Sequence, residues 1–238
     1  ISWDFLSGDI PLSSRSPGPG TGPAALGTLL ITGAATALAV PLGVLAAVYL
    51  NEYGRKNRLA AVIRFLSDVM AGVPSIVMGL FIYAVWVLRF GLSGFAGALA
   101  LGCLMLPIVI RSAETALQLV PNDLREASTA LGARRSRTIL TVVIPAALPG
   151  LVSGALLAVA RAAGETAPLL FTIGVVNATN PNLFEGTNTA LSTQIFGNAQ
   201  QPFEAAVQRA WGAALTLVVI VFVFTAIARV VARRFTSR

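Results

Sequence analysis

Long apolar blocks alternating with short arginine-rich connectors constrain this chain more than any other feature. The blocks run over residues 24 to 50, 67 to 90, 94 to 119, 149 to 175 and 207 to 232. A hydrocarbon layer about 30 Å thick requires a helix of roughly 20 apolar residues, and each block is long enough to supply one. A soluble protein could also bury apolar helices, but its outer helices need a polar face toward water, and these blocks are apolar all round. Composition agrees: 55% of the residues are hydrophobic and 11% are charged, against about 25% charged in an ordinary soluble domain. The expectation is an all-α membrane protein with five visible spans.

Cations fix the expected orientation, because cytoplasmic connectors are enriched in Lys and Arg. Arg55, Lys56, Arg58 and Arg64 follow the first block, Arg125, Arg134, Arg135 and Arg137 follow the third, and Arg233, Arg234 and Arg238 end the chain. Those regions, the C-terminus included, are expected in the cytoplasm. The alternate connectors are poor in Arg, and residues 176 to 206 hold neither Lys nor Arg, so these and the N-terminus are expected outside. The segment 1 to 23, with Ser-Pro-Gly-Pro-Gly-Thr-Gly-Pro at 16 to 23, reads as an exposed irregular external piece ahead of a membrane domain over 24 to 238. The net charge of +7 gathers at block ends rather than on a continuous basic face, so it reports membrane orientation and not nucleic-acid binding.

The residue inventory excludes several chemistries. Histidine is absent, which removes the commonest metal ligand and general base. Cys103 is the sole cysteine, so neither a disulfide framework nor a thiolate metal site can form, and packing is its expected role. A phosphate-cradling loop needs Gly-Lys-Ser/Thr, whereas Lys56 stands between Arg55 and Asn57. No nucleotide site is expected in this chain, and the energy for any pumping must come from a partner. Pro41, Gly43, Gly72, Pro74 and Pro107 interrupt the apolar blocks. Kinks in lipid need neighbouring helices or a cavity to satisfy the freed carbonyls, which suits a transporter bundle.

The connector at 121 to 145 carries the most information. It opens with acids, places Gly132 where a turn is wanted, turns basic, and ends in an amphipathic segment at Pro145. Helix, glycine turn and second helix make a compact knob that can dock on a partner and pass a push to the spans on either side. Glu126, Ala127, Gly132, Val142, Ile144 and Pro145 stand where the EAA loop of binding-protein-dependent ABC importer permeases has its signature, with Ser128, Val142 and Ile144 as conservative departures. By that resemblance the knob is the coupling helix seated on an ATPase subunit. Glu126 is then expected to hold the loop by capping or an ion pair, and Ala127 and Gly132 to permit close approach.

Two blocks contain charge at helical spacing. Arg111 and Glu114 lie three apart, and Arg161 and Glu165 four apart, so each pair shares a helix face. A charge at a bilayer centre costs about 2.5 to 3.5 kcal/mol on insertion scales and points to function or to a tight internal pair. By residue count Arg161 falls near mid-span and Arg111 closer to the cytoplasm, which favours Arg161 as the translocation-path residue.

The stretches Gly72 to Leu80, Leu106 to Thr115 and Ala160 to Pro168, with Ser2-Trp-Asp-Phe-Leu6, resemble the PstA-type permeases of phosphate ABC importers over nearly the whole chain. The resemblance implies a type I importer bundle in a bacterial plasma membrane, with a first family helix ahead of Ile1. It implies a PstC-type permease partner, a PstB-type ATPase pair holding ATP and Mg, and an external PstS-type phosphate-binding protein. Arg can clamp phosphate bidentately, and a nearby carboxylate can accept the proton that phosphate carries and sulfate lacks. Molybdate, sulfate and phosphonate permeases share the knob and remain alternatives for the cargo. A membrane-embedded enzyme and an ion-coupled carrier are the competing classes.

Overall fold

The computed structural model describes residues 3–16, 18, 20–54 and 57–236. Arg55, Lys56 and Arg238, three cations of the orientation argument, lie outside the described residues, as does Ser2. Every element among the described residues is helical. In chain order they are α1 (Trp3–Ser7), α2 (Gly22–Val48), α3 (Arg58–Gly72), α4 (Ser75–Ile82), α5 (Leu88–Phe90) and α6 (Gly94–Gln118). Then come α7 (Asn122–Ala130), α8 (Arg135–Thr138), α9 (Ile144–Ala163), α10 (Ala167–Thr172), α11 (Leu191–Ala199) and α12 (Glu204–Thr236). Wider π-helical turns at Tyr49–Tyr53, Tyr83–Val87 and Ile139–Val143 extend α2, join α4 to α5 and join α8 to α9.

Four helical stretches are long and apolar enough to cross a bilayer: Gly22–Tyr53, Gly94–Gln118, Arg135–Ala163 and Glu204–Ile227. A fifth crossing requires Arg58–Gly72 and Ser75–Phe90 to act together as one broken span. The block at 67 to 90 is therefore not one straight helix. Pro74 has no N–H to continue α3 and pushes the residue before it out of the helical region; with Gly72 at the end of α3, the chain breaks and restarts at Ser75. The block at 149 to 175 also differs from a single span. Its helix starts earlier, at Arg135 on the knob, and stops at Ala163, leaving α10 as a separate short helix. The π turn at Ile139–Val143 ends two residues before Pro145 and contains Thr141, four residues ahead of it. A proline ring clashes with the carbonyl four residues earlier in a regular α-helix, and the wider turn gives it room.

The chain divides into two compact units, one of residues Ile1–Ala37, Val73–Leu104 and Ala160–Val223, the other of Leu38–Gly72, Met105–Val159 and Phe224–Arg238. In the first unit α4 packs on α10 so closely that a Cβ at Gly79 would come within 2.6 Å of the Pro168 backbone. Two of the sequence stretches singled out above thus meet there. The N-terminal segment is bound into the same unit: Ile10 N–H donates to the Asn177 carbonyl at 2.9 Å, Thr21 is fully buried, and Phe5 lies against Gly212. Its described residues are less irregular than the Gly and Pro content implied, because α1 and these contacts order them. Asn188 holds the start of α6, its Oδ1 accepting from Gly94 N–H at 2.7 Å.

The second unit has a core of Ala47, Ala113, Leu117, Val143, Ala147 and Leu151. Here α9 meets α6 through small residues. A Cβ at Gly150 would lie 2.7 Å from Ala116 Cβ, and one at Gly154 would lie 2.3 Å from Ser112 Oγ. Small residues four apart let two membrane helices approach backbone to backbone.

Candidate functional site

The knob forms as its residues require. Pro121 precedes α7, where a missing N–H costs nothing because the first turn has no intrahelical acceptor for it. At the other end Gly132 adopts φ +82°, a left-handed conformation that favours glycine. Gly132 N–H donates to the Thr129 carbonyl at 2.9 Å and Ala133 N–H to the Ser128 carbonyl at 3.2 Å, the paired bonds of a Schellman cap. Ser128 Oγ and Thr138 Oγ1 lie 2.9 Å apart and tie α7 to α8. The Arg135 guanidinium stacks 4.9 Å over the Tyr53 ring.

What anchors the knob is a buried ion pair. Arg125 Nη2 donates to Glu52 Oε1 at 2.9 Å, with side-chain exposures of 15% and 7%. Arg125 also donates to the carbonyls of Leu117 (3.0 Å) and Val120 (2.6 Å). One guanidinium thereby satisfies carbonyls left open where α6 ends and complements the negative end of its dipole. Asn51 Nδ2 donates to the same Glu52 oxygen at 2.8 Å. This anchor corrects the expectation for Glu126. Its side chain is exposed and pairs with no other described residue, because α7 turns Arg125, one position earlier, toward the bundle. Ala127, Gly132 and Pro145 are likewise exposed, and Leu131 at the turn is 89% exposed. A cavity of about 340 Å³ opens beside the anchor, between Glu52, Arg125, Arg135 and Thr138.

The charged pairs in the spans part company. Glu114 is only 4% exposed, and Arg64 reaches it with Nε at 2.9 Å while its Nη2 donates to the Leu50 carbonyl at 3.0 Å. Arg111 Nη1 lies 3.7 Å from Glu114 Oε2, and Arg111 also donates to Asp68 through Nε at 2.9 Å and through Nη2. Asp68, Arg111, Glu114 and Arg64 form an alternating network of two acids and two bases in the second unit. In the sequence Arg64 belongs to a connector, and neither Asp68 nor Glu52 carries a motif that marks it as its partner or as an anchor. An acid inside or at the edge of an apolar block was the signal available.

Arg161 and Glu165 stand in a different setting, in the first unit. Arg161 lies in the last turn of α9 rather than near mid-span, because the helix starts at Arg135 and ends at Ala163. Its side chain is 69% exposed, and its Nε is 3.7 Å from Glu165 Oε1. Glu165 is in the turn between α9 and α10, and its carbonyl accepts from Ser192 Oγ on α11 at 2.9 Å. Among the described residues, no group of three or more His, Cys, Asp or Glu side chains is placed to hold a metal ion.

A model of the family described as "Binding-protein-dependent transport system inner membrane component" matches residues 39–237. The phosphate transport system permease protein PstA 1 of Mycobacterium tuberculosis (strain CDC 1551 / Oshkosh) is 49% identical over 197 residues, covering 82% of this chain and 64% of that protein. The chain thus spans less than two thirds of the length of that relative. The phosphate transport system permease proteins PstA of Yersinia pestis and Pasteurella multocida are 42% and 39% identical, covering 91% and 97% of this chain and 74% and 86% of theirs. Among solved structures, a chain of the MetNI methionine ABC transporter in inward-facing conformations aligns with a TM-score of 0.70 at 20% identity, covering 88% of this chain and 91% of that one. That likeness establishes a shared fold. Matched by the family model from the second half of α2 to the end of α12, the chain belongs to the binding-protein-dependent transport system inner membrane components.

Proposed function

We propose that this chain is one permease half of an ATP-driven inorganic phosphate importer. The carrying observation is mechanical: the knob at 121 to 145 offers its outer surface, with Leu131 89% exposed, while its inner side is locked to α2 and α6 by Glu52 and Arg125. A surface to grip joined to a rigid base is what transmitting a push requires. Residues 121 to 145 then face the cytoplasm and seat on a PstB-type ATPase pair, which holds ATP and Mg. Residues 1 to 23 and 176 to 206 face outward toward a PstS-type phosphate-binding protein, and a PstC-type permease completes the pathway. The names of the relatives above support the cargo, and the family description, a binding-protein-dependent transport component of the inner membrane, supports an external binding protein as partner.

Arg161 and Glu165 face the anion path in this reading. The Arg161 guanidinium is exposed and only loosely paired, leaving donors for a bidentate grip on phosphate. Glu165 supplies a carboxylate for the proton that phosphate carries. The knob is tested by Leu131→Asp in the assembled complex. Co-purification of the ATPase is expected to fall sharply, and an unchanged yield of complex overturns the coupling role. For the path, Arg161→Gln is expected to assemble normally and to lose phosphate uptake in proteoliposomes. Undiminished uptake removes the proposed role, and wild-type uptake of molybdate, sulfate or phosphonate in place of phosphate reassigns the cargo.

A further inference from the structure

A second polar site lies in the first unit and shares no lining residue with the Arg161 and Glu165 pair. A cavity of about 280 Å³ is lined by α11, by the start of α12 and by the segments around Ile10 and Asn177. Three of its lining side chains, Gln194, Asn198 and Arg209, each present a buried polar atom with no hydrogen-bond partner: Gln194 Oε1, Asn198 Nδ2 and Arg209 Nε. Native structures leave few buried polar atoms unpartnered, and each calls for a water, an ion or a ligand. Three on one cavity are unusual.

The chemistry of the three atoms is specific. Arg209 is 4% exposed, and its Nη1 and Nη2 donate to the carbonyls of Ser16 (2.6 Å) and Ser14 (3.0 Å). Carbonyls hold the guanidinium in place without neutralising it, and among the described residues no carboxylate pairs with it. Burying a cation without a counter-charge is costly, so the cavity calls for an anion. Gln194 is 7% exposed, and its Nε2 donates to the Gly20 carbonyl at 2.7 Å, which fixes Oε1 as the unused acceptor. The open positions are therefore two donors, one of them cationic, and one acceptor. A fully deprotonated tetrahedral oxyanion answers the donors and leaves Gln194 Oε1 unmet. One that retains a proton answers all three.

We infer that this cavity is a binding site for a protonated oxyanion of the phosphate class, with Arg209 Nε and Asn198 Nδ2 donating to its oxygens and Gln194 Oε1 accepting its P–O–H. The same chemistry is presented by free hydrogen phosphate and by a lipid phosphate monoester. The site stands on the cavity and not on the import reading. Its mechanical connection to that reading is α11, which carries Gln194 and Asn198 and, through Ser192, bonds the Glu165 carbonyl at the end of α9.

The test uses the permease and ATPase complex without the external binding protein, carrying Arg161→Gln so that the proposed path residue does not contribute, in nanodiscs of phosphatidylcholine. Radiolabelled inorganic phosphate is expected to bind, and adding Arg209→Gln is expected to weaken it at least about tenfold, as loss of a charged hydrogen bond requires. Should Arg209→Gln fail to assemble, Gln194→Leu serves: it is expected to keep sulfate binding and to weaken phosphate binding about tenfold. Nanodiscs with phosphatidic acid and no free phosphate identify the lipid source, if they raise the thermal unfolding midpoint through Arg209. Equal phosphate binding with and without the substitutions, or a cavity holding only ordered water at saturating phosphate, overturns the site. Phosphate binding that depends on Arg209 in a wild-type complex that does not import phosphate would leave this site standing and remove the import reading.

Discussion

Arg111 with Glu114 and Arg161 with Glu165 look alike in sequence, each an arginine with a glutamate three or four residues on, and the fold treats them in opposite ways. Glu114 is buried and held by Arg64 on α3, while Arg111 is shared with Asp68 of the same helix. Arg161 is exposed at a helix end and meets its glutamate at 3.7 Å. Helical spacing makes a pair possible, and its strength depends on what neighbouring helices bring to it. A compensated network of two acids and two bases has the character of structure. A loosely held arginine retains donors for something else.

Stability measurements on the purified complex can break this contrast. The largest loss is expected for Glu52→Ala, which strands the mostly buried Arg125 against α6; removal of one partner of a buried pair costs about 3 to 5 kcal/mol, and thermal unfolding in detergent should show it. Next comes Glu114→Ala, at about 3 kcal/mol, since Asp68 remains to neutralise Arg111 and Arg64 is part-exposed. A loss in Glu114→Ala as small as that of a surface substitution would dissolve the distinction between the two pairs. Gly154→Val places a side chain where Ser112 Oγ already sits 2.3 Å from the Cβ position. Overpacking of this kind costs about 1 to 3 kcal/mol, and the second unit should gain protease sensitivity. Gly132→Ala meets no neighbour and strains only the backbone at φ +82°. About 1 kcal/mol is expected, together with weaker ATPase co-purification. Smallest of all, Arg161→Gln should change the unfolding midpoint by less than about 0.5 kcal/mol equivalent, which sharpens the contrast if uptake is lost at the same time.

The knob was legible because its signals are local: Gly132 demands a left-handed turn, Pro121 marks a helix start, and the charges between them exclude a span. Its anchor was not. Nothing near Arg125 in sequence announces Glu52, which lies at the end of another helix and reaches it only when α2 and α6 pack together. Arg161 was misplaced along its span for a related reason. Apolar content marked a block from 149 to 175, whereas the helix runs from Arg135 on the knob and ends at the turn before Glu165. Hydropathy sees composition and not where a polar first turn continues into an apolar helix. Arg209 stands near the start of the last block, and nothing local in the sequence signals the cavity that α11 and the N-terminal segment build around it.

What the chain dictates unaided is therefore its helices, their residence in a bilayer and the helix-glycine-helix shape of its knob, because periodicity, hydropathy and backbone preference act over a few neighbouring residues. Which arginine is neutralised, which is left open and which faces a polar cavity was decided only by tertiary packing. Electrostatic partners are chosen by distance in space, and residues 50 or 73 positions apart, as in Arg64 with Glu114 and Arg125 with Glu52, become neighbours only once the helices are docked.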